Sequence, residues 1–149
     1  MNIKDRLAQD LKQAMLNKDT LTKNTVTLVR SRIKYYEVNN RVDADDEVIL
    51  SLIQKEIKQR IDTIDSLQNS GRDDLLNAAK EELKLLESYL PAQISDDDLI
   101  KLIHECINET GASSIKDMGK VIASAKEKAG ATCEPKRISD HVKQILSNI

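Results

Sequence analysis

The sequence predicts an all-α protein, and three observations support that class. The 149 residues include four glycines, two prolines, three tyrosines and neither phenylalanine nor tryptophan, which disfavours the turns and aromatic strands of a β-sandwich or barrel. Apolar residues recur at the three- and four-residue spacing of helices. The glycines and prolines fall almost entirely between these periodic segments, where they end one helix or begin the next.

The first half of the chain is predicted to form three helices. They cover about residues 3–17, about residues 21–38, and the stretch from the acidic cluster at 43–47 to about residue 70. The acidic cluster suits the positive end of a helix dipole. The residues predicted to face inward are Ile3, Leu7, Leu11, Ala14 and Met15 in the first helix, Leu21, Thr25, Leu28, Val29, Ile33 and Tyr36 in the second, and Leu50, Ile53, Ile57, Ile61 and Ile64 in the third.

A fourth helix is predicted over about residues 73–90, with the apolar spacing of a helical bundle at Leu76, Ala79, Leu83, Leu86 and Leu90. Pro91 cannot continue that helix and disfavours helical geometry at Leu90. We therefore predict a helical N-terminal bundle of about four helices, residues 1–90, joined by a hinge to a small C-terminal domain, residues 91–149.

Three shorter helices are predicted in the C-terminal domain. They cover about residues 96–110, a stretch that starts at Ser114, and a stretch that starts near Pro135. Their predicted inward residues are Leu99, Leu102, Ile103, Cys106 and Ile107, then Met118, Val121, Ile122 and Ala125, then Ile138, Val142, Ile145 and Leu146.

The overall composition excludes several classes of protein. The formal net charge is −2, which lacks the broad positive field of a general nucleic-acid binder. The absence of Phe and Trp removes the aromatic platforms on which RNA-recognition motifs stack bases. No apolar run approaches a membrane span, and residues 1–13 have no signal-peptide core. Cys106 and Cys133 form no CxxC pair, so we expect a cytoplasmic protein with reduced thiols and no metal.

Charge is unevenly distributed within the C-terminal domain. Residues 91–114 hold one basic and five acidic residues, whereas residues 115–149 hold seven basic and four acidic residues. The last two helices could therefore present a basic face to a phosphate backbone, although an ordinary solvated face is the simpler interpretation. Gly119 interrupts a helical pattern, which indicates close approach either of another helix or of a ligand backbone.

Other polar clusters have plain structural interpretations. Ser113 and Ser114 could suggest a nucleophile, but without a glycine-rich serine loop and a partner lysine they are better read as helix-capping residues. His104 and Cys106 do not share a helix face, so no metal site or Cys–His pair is expected. The second predicted helix carries Lys23, Arg30, Arg32 and Lys34, and we expect these to match the acidic start of the third helix.

Five segments, in order along the chain, resemble motifs of the GatB/YqeY family, and the match is to its stand-alone members. They are DLKQAM at 10–15, KEIKQR at 55–60, GRDDL at 71–75, ESYLPAQI at 87–94 and GASSIKDMGKV at 111–121. One turn departs from the family pattern: residues 130–135 read GATCEP, where members commonly carry a turn of the type Gly-Arg-Ala-Asp-Gly. That departure weakens any contact of this turn with RNA.

The resemblance implies a small C-terminal domain similar to the tail of the B subunit of glutamine-dependent tRNA amidotransferase, which helps to hold tRNA. Because the sequence has neither an ATP-binding cradle nor an amidase nucleophile, we expect a non-catalytic module that binds tRNA or an aminoacyl-tRNA-processing complex, with no catalytic residue and no cofactor. The alternatives are participation in carbon–nitrogen ligase chemistry with glutamine as amido donor, or a protein-interaction bundle that docks a partner on its third and fourth helices. The residues expected to contact nucleic acid are Lys116, Gly119, Lys120, Lys126, Lys136, Arg137 and Lys143.

Overall fold

The computed structural model describes residues 2–148, which form α-helices, two short 3₁₀ turns and no β-strand within that range. The predicted all-α class is thereby confirmed. The helices are α1 (Ile3–Leu16), α2 (Thr20–Asn40), α3 (Asp46–Leu67), α4 (Asp73–Glu87), α5 (Asp96–Thr110), α6 (Met118–Ala129) and α7 (Pro135–Ser147), and the 3₁₀ turns are Ile115–Asp117 and Gly130–Thr132.

Short polar side chains begin four of the helices by accepting backbone N–H groups that have no intrahelical partner. Asn2 caps α1, Asp19 caps α2, Asp45 caps α3 and Ser95 caps α5. The acidic cluster at 43–47 thus acts as predicted, at the positive end of α3.

Two helix boundaries differ from the sequence prediction. At the end of α2, Arg41 adopts a left-handed conformation with φ of 54°, a role more often taken by glycine, so composition alone did not indicate it. The helix predicted to start at Ser114 begins instead at Met118, because Ser114 caps the 3₁₀ turn that precedes α6. Gly119 is therefore the second residue of α6 and not an interior one.

The Cα positions divide into two compact units, residues 1–90 and 91–149. In the first unit α1 packs on α2, α3 packs on α4, and α2 touches both α3 and α4. Its core is rich in aliphatic residues from all four helices: Ile3, Leu7, Val26, Val29, Ile33, Ala44, Ile49, Ile53, Ile57, Leu86 and Tyr89. The hinge between the predicted domains, and the likeness of the second to an amidotransferase tail, stay predictions.

Some residues of the first unit lie on a different side of their helix from the prediction. Met15 is 58% exposed, because it lies 100° around α1 from buried Ala14 and so at the edge of the buried stripe. Val26 and Ile49 are buried but were not in the predicted core. Glu56 is buried as well, 3% exposed, although a charged side chain is a poor candidate for a core position.

The second unit has a separate core made by three helices. α6 packs on both α5 and α7, and α5 also touches α7. The core residues are Leu99, Ile103, Cys106, Val121, Ala125, Ala129, Cys133, Ile138, Val142 and Leu146. Most of them were predicted from the helical spacing; of the remaining two, Ala129 is the last residue of α6 and Cys133 follows that helix.

Candidate nucleic-acid interface

The segment from Gly111 to the start of α6 is held by hydrogen bonds within the segment itself. Gly111 ends α5 in a left-handed conformation with φ of 70°, which glycine adopts without steric cost. The carboxylate of Asp117 accepts the N–H of Ser113 at 2.9 Å. Hydrogen bonds from the backbone of Ser113 and Ser114 hold the pKa of Asp117 below its ordinary value. The turn is therefore an ordered platform for the basic residues that follow it.

Ser114 has a capping role, as the sequence indicated. Its hydroxyl accepts the N–H of Lys116 at 3.3 Å, at the start of the 3₁₀ turn. This is the ordinary use of serine before a helical turn. The arrangement explains the Ser113–Ser114 pair without a nucleophile.

The exposed part of α6 and the 3₁₀ turn before it carry four of the seven predicted nucleic-acid contacts. Lys116 lies in the 3₁₀ turn. On α6 itself, Gly119 and Lys126 are seven residues apart and share one side, and Lys120 lies about 100° around the helix from Gly119. Each of the four is exposed. The three lysines make no ion pair within residues 2–148, so their charges face solvent. The buried side of the same helix is formed by Val121, Ala125 and Ala129.

Gly119 lies on this face with open space above it. A Cβ atom built at Gly119 would meet no heavy atom within 4 Å among the described residues. The interpretation that glycine is required here for helix packing is therefore wrong. The alternative, close approach of a ligand backbone, is the one that the geometry leaves open.

The three predicted contacts on α7 separate into two groups. Lys136 and Lys143 are exposed and seven residues apart, which puts them on one face of the helix, with Asp140 between them. Arg137 lies about 100° away and donates to Asp96 Oδ1 at 2.6 Å. The pKa of Asp96 is lowered mainly by this hydrogen bond, and the pKa of Arg137 is raised by it. Arg137 thus links α7 to the start of α5.

Lys128 is engaged in the same manner. Its Nζ lies 2.6 Å from Glu109 Oε1 and 3.9 Å from Glu105 Oε2, so it connects α6 to α5. The hydrogen bond that Lys128 donates to Glu109 raises the pKa of Lys128. The structure therefore divides the basic residues of 115–149 into those engaged in ion pairs with α5 and those that face solvent.

The remaining reactive side chains do not assemble into a site. Among residues 2–148, no group of three His, Cys, Asp or Glu side chains is arranged to hold a metal ion. Cys106 and Cys133 are both buried and are not joined in a disulfide. Burial raises the pKa of the Cys133 thiol, which disfavours the reactive thiolate. None of the helices in this part of the chain has the length and apolarity needed to cross a membrane.

The charge match expected between α2 and the acidic start of α3 does not form among residues 2–148. Arg32 Nε lies 3.0 Å from Glu56 Oε1, in the middle of α3 and not at its acidic start. Arg30 and Lys34 make no ion pair in the described part of the chain and instead line a groove between α1 and α2. This groove was not predicted from the sequence, although polar residues recur at helical spacing at Thr27, Arg30 and Lys34.

Comparisons with known proteins identify the family. The model of the family described as Yqey-like protein matches residues 4–146. Among the similar proteins, one from Vanderwaltozyma polyspora is 34% identical over 119 residues, which are 75% of this chain and 64% of that protein. One from Kluyveromyces lactis is 41% identical over 87 residues, 58% of this chain and 47% of that protein. One from Pyrenophora tritici-repentis is 28% identical over 146 residues, 95% of this chain and 79% of that protein.

All three relatives carry the name "Altered inheritance of mitochondria protein 41, mitochondrial". In the first two, the chain spans less than two thirds of the relative's own length. These names contradict the expected cytoplasmic location, which rested mainly on reduced thiols. Free cysteines do not distinguish one reducing compartment from another. The family match covers nearly the whole chain, and the chain belongs to the YqeY-like protein family.

Proposed function

We propose that this chain is a non-catalytic accessory protein that binds the phosphate backbone of tRNA through the exposed face of α6 and the 3₁₀ turn before it. The observations that carry the proposal are that Lys116, Lys120 and Lys126 are exposed and make no ion pair within residues 2–148, and that open space lies above Gly119 in the same segment. Lysine charges bind phosphates without reading sequence. A glycine at that position lets a sugar–phosphate chain approach the helix backbone.

Lys136 and Lys143 on α7 extend the proposed surface. Both are exposed, and neither makes an ion pair among the described residues. Arg137 is left out of the surface, because its guanidinium is already held by Asp96. Its role is to fix α7 against α5, so its effect on tRNA would be indirect.

The proposal is tested by salt-dependent binding of the full-length chain to unfractionated tRNA, measured by fluorescence anisotropy. The test variant is Lys116→Glu/Lys120→Glu/Lys126→Glu. We expect its affinity at low salt to fall at least about tenfold, and the slope of log affinity against log salt to flatten by about two to three, as three phosphate contacts are lost.

A matched control keeps the change in net charge the same. Lys55→Glu/Lys58→Glu/Lys80→Glu reverses three exposed lysines of α3 and α4 that make no ion pair in the described structure. This control is expected to retain most of the wild-type affinity. Undetectable binding of the wild-type chain, or equal losses in the two triple variants, would contradict the proposal.

The participation in amide transfer that the resemblance implied stays a prediction. Ser113 and Ser114, the nucleophile candidates, lie in a turn where the N–H of Ser113 is bound to Asp117 and the hydroxyl of Ser114 accepts a backbone N–H. Incubation of the purified chain with Glu-tRNA, glutamine and ATP tests this directly. Amidated product from this chain alone would replace the accessory role with an enzymatic one.

A further inference from the structure

The chain that leaves α4 is tied to α1 by side chains that lie far from it in the sequence. The Tyr89 hydroxyl donates to the carboxylate of Asp10, 79 residues earlier, and the Arg6 guanidinium lies over the Tyr89 ring, 4.8 Å from its centroid. Arg6 also donates to the carbonyl of Ser88 at 3.4 Å. Arg6 and Asp10 thus hold two consecutive residues after α4, and we call Arg6, Asp10, Ser88 and Tyr89 together the Tyr89 clamp.

The Tyr89 clamp is continuous with the core of the first unit. Tyr89 is 3% exposed and packs among the buried aliphatic residues of that core. Burial and the hydrogen bond to Asp10 raise the pKa of Tyr89, so its hydroxyl remains a proton donor to the carboxylate. Leu90 packs on the same core, and its N–H donates to the carbonyl of Glu87 at 3.1 Å. The chain is therefore fixed to the first unit as far as Leu90.

A second set of contacts fixes the chain to the second unit. The N–H of Ile94 donates to the carbonyl of Thr132 at 2.8 Å, and Gln93 Nε2 donates to the carbonyl of Ala131 at 3.2 Å. Both acceptors lie in the 3₁₀ turn that follows α6. Ile94 also packs against the second core. The chain is therefore fixed to the second unit from Gln93 onward.

Pro91 and Ala92 lie between these two fixed ends, and both are exposed. Within residues 2–148, neither the N–H nor the C=O of Ala92 makes a hydrogen bond, and the carbonyl of Pro91 accepts only Gln93 Nε2, at 2.9 Å. The proline ring fixes φ at Pro91 and restricts the backbone of Leu90. The rotations left open at this point are therefore mainly ψ of Pro91 and the φ and ψ of Ala92.

We propose that Pro91 and Ala92 form a pivot about which the second unit reorients as a rigid body, and that the Tyr89 clamp sets where this pivot begins. Hinges are a few residues that absorb a large change in φ and ψ while the elements on either side keep their packing. Without the clamp, the residues after α4 would open locally and the pivot would lengthen toward Ser88. The pivot does not depend on the tRNA surface proposed on α6, so either proposal can fail without the other.

The pivot is tested by NMR of the isotopically labelled full-length chain in a dilute liquid-crystal medium. We expect the residual dipolar couplings of residues 2–90 and of residues 93–148 to fit the coordinates of each unit separately, with alignment tensors of different magnitude. We also expect the heteronuclear NOE, which reports ps–ns motion, to reach its interdomain minimum at Ala92. Tensors of equal magnitude, or a heteronuclear NOE at Ala92 as high as in α3, would overturn the pivot.

The role of the Tyr89 clamp is tested by hydrogen exchange of the same chain. Tyr89→Phe is expected to lower the protection of amides 89 and 90 by about tenfold, as one hydrogen bond is lost, and to leave amides in the middle of α3 unchanged. Asp10→Asn, which keeps the shape of the side chain and weakens the acceptor, is expected to have the same effect to a smaller extent.

The matched control is Tyr36→Phe. Tyr36 packs on the same core, but its hydroxyl makes no hydrogen bond in the described structure, so this variant is expected to keep the wild-type protection at amides 89 and 90. Equal protection of these amides in Tyr89→Phe and Tyr36→Phe, or a loss in Tyr89→Phe that extends equally to α3, would overturn the role of the clamp.

Discussion

Ion pairs occupy different places in the two compact units. In residues 1–90, Glu56 is almost completely buried, and it lies between Arg32 on α2 and Arg60 one turn along α3. Arg60 in turn reaches Glu82 on α4 at 2.7 Å. In residues 91–149 the pairs lie at the rim, where the carboxylates of Asp96 and Glu109 are 70% and 59% exposed.

The difference shows two consequences of pairing a charge. A buried pair has paid a large desolvation cost, so the removal of one partner is expensive. A rim pair adds little stability, since water and salt screen it. A rim pair does, however, determine which basic side chains are engaged within the protein. Asp96 and Glu109 engage Arg137 and Lys128, whereas Lys116, Lys120 and Lys126 make no ion pair in the described structure.

The largest expected effect comes from breaking the buried network at Arg60. Arg60→Leu removes the cation 3.6 Å from Glu56 Oε2, a buried oxygen that already lacks a hydrogen bond, and leaves Arg32 on Oε1 as the remaining partner of that carboxylate in the described structure. We expect the free energy of unfolding to fall by about 2–3 kcal/mol, measured by urea denaturation.

The matched control is the double variant Arg60→Leu/Glu56→Leu. Because it removes the buried carboxylate together with its partner, we expect it to regain at least about half of the loss. A double variant as unstable as the single one would show that Glu56 is adequately paired without Arg60. The expected difference between buried pairs and rim pairs would then be wrong.

A smaller effect is expected at Gly119, on the unpaired face of α6. Gly119→Ala should raise the free energy of unfolding by up to about 0.5 kcal/mol, because alanine has the higher helix propensity and its Cβ meets no neighbour. The same change should weaken tRNA binding in the anisotropy assay, since it fills the space above the helix. Gly111→Ala is the contrast: at φ of 70° alanine is strained and should destabilise the unit. Unchanged tRNA affinity in Gly119→Ala would argue against close backbone approach.

The smallest effect is expected from the rim pair of Asp96 and Arg137. The folded state lowers the pKa of Asp96 below its ordinary value of 3.8, so the pair stabilises above that pH and its contribution is lost as the pH falls through the folded value. Asp96→Asn should therefore be slightly less stable than the wild type at neutral pH and equal to it near roughly pH 2. Asp97→Asn, in the same first turn of α5 but without an ion pair in the described structure, is the control. Equal pH profiles for the two variants would show that the pair does not contribute.

The sequence predicted those features that depend on neighbours along the chain. Helical periodicity, capping residues and the glycines that end helices act within one or two turns. The all-α class, the start of α7 at Pro135 and most of the second core were predicted for that reason. The exposed position of Lys116, Lys120 and Lys126 also follows from their spacing relative to Val121 and Ala125.

Local patterns failed wherever a contact joins residues far apart in the chain. No feature near Arg137 distinguishes it from Lys136, yet Asp96, 41 residues away, accepts a hydrogen bond from Arg137. Burial of Glu56 depends likewise on Arg32, 24 residues before it.

The sequence by itself determined the helical class, the order of the helices and the family. Only the tertiary structure decided which charges are paired, that Gly119 faces open space, and that Arg30 and Lys34 line a surface groove between α1 and α2. The physical reason is that a helix forms from hydrogen bonds and side chains a few residues apart. Ion pairs and grooves exist only after separate helices have packed together, so no spacing within one helix encodes them.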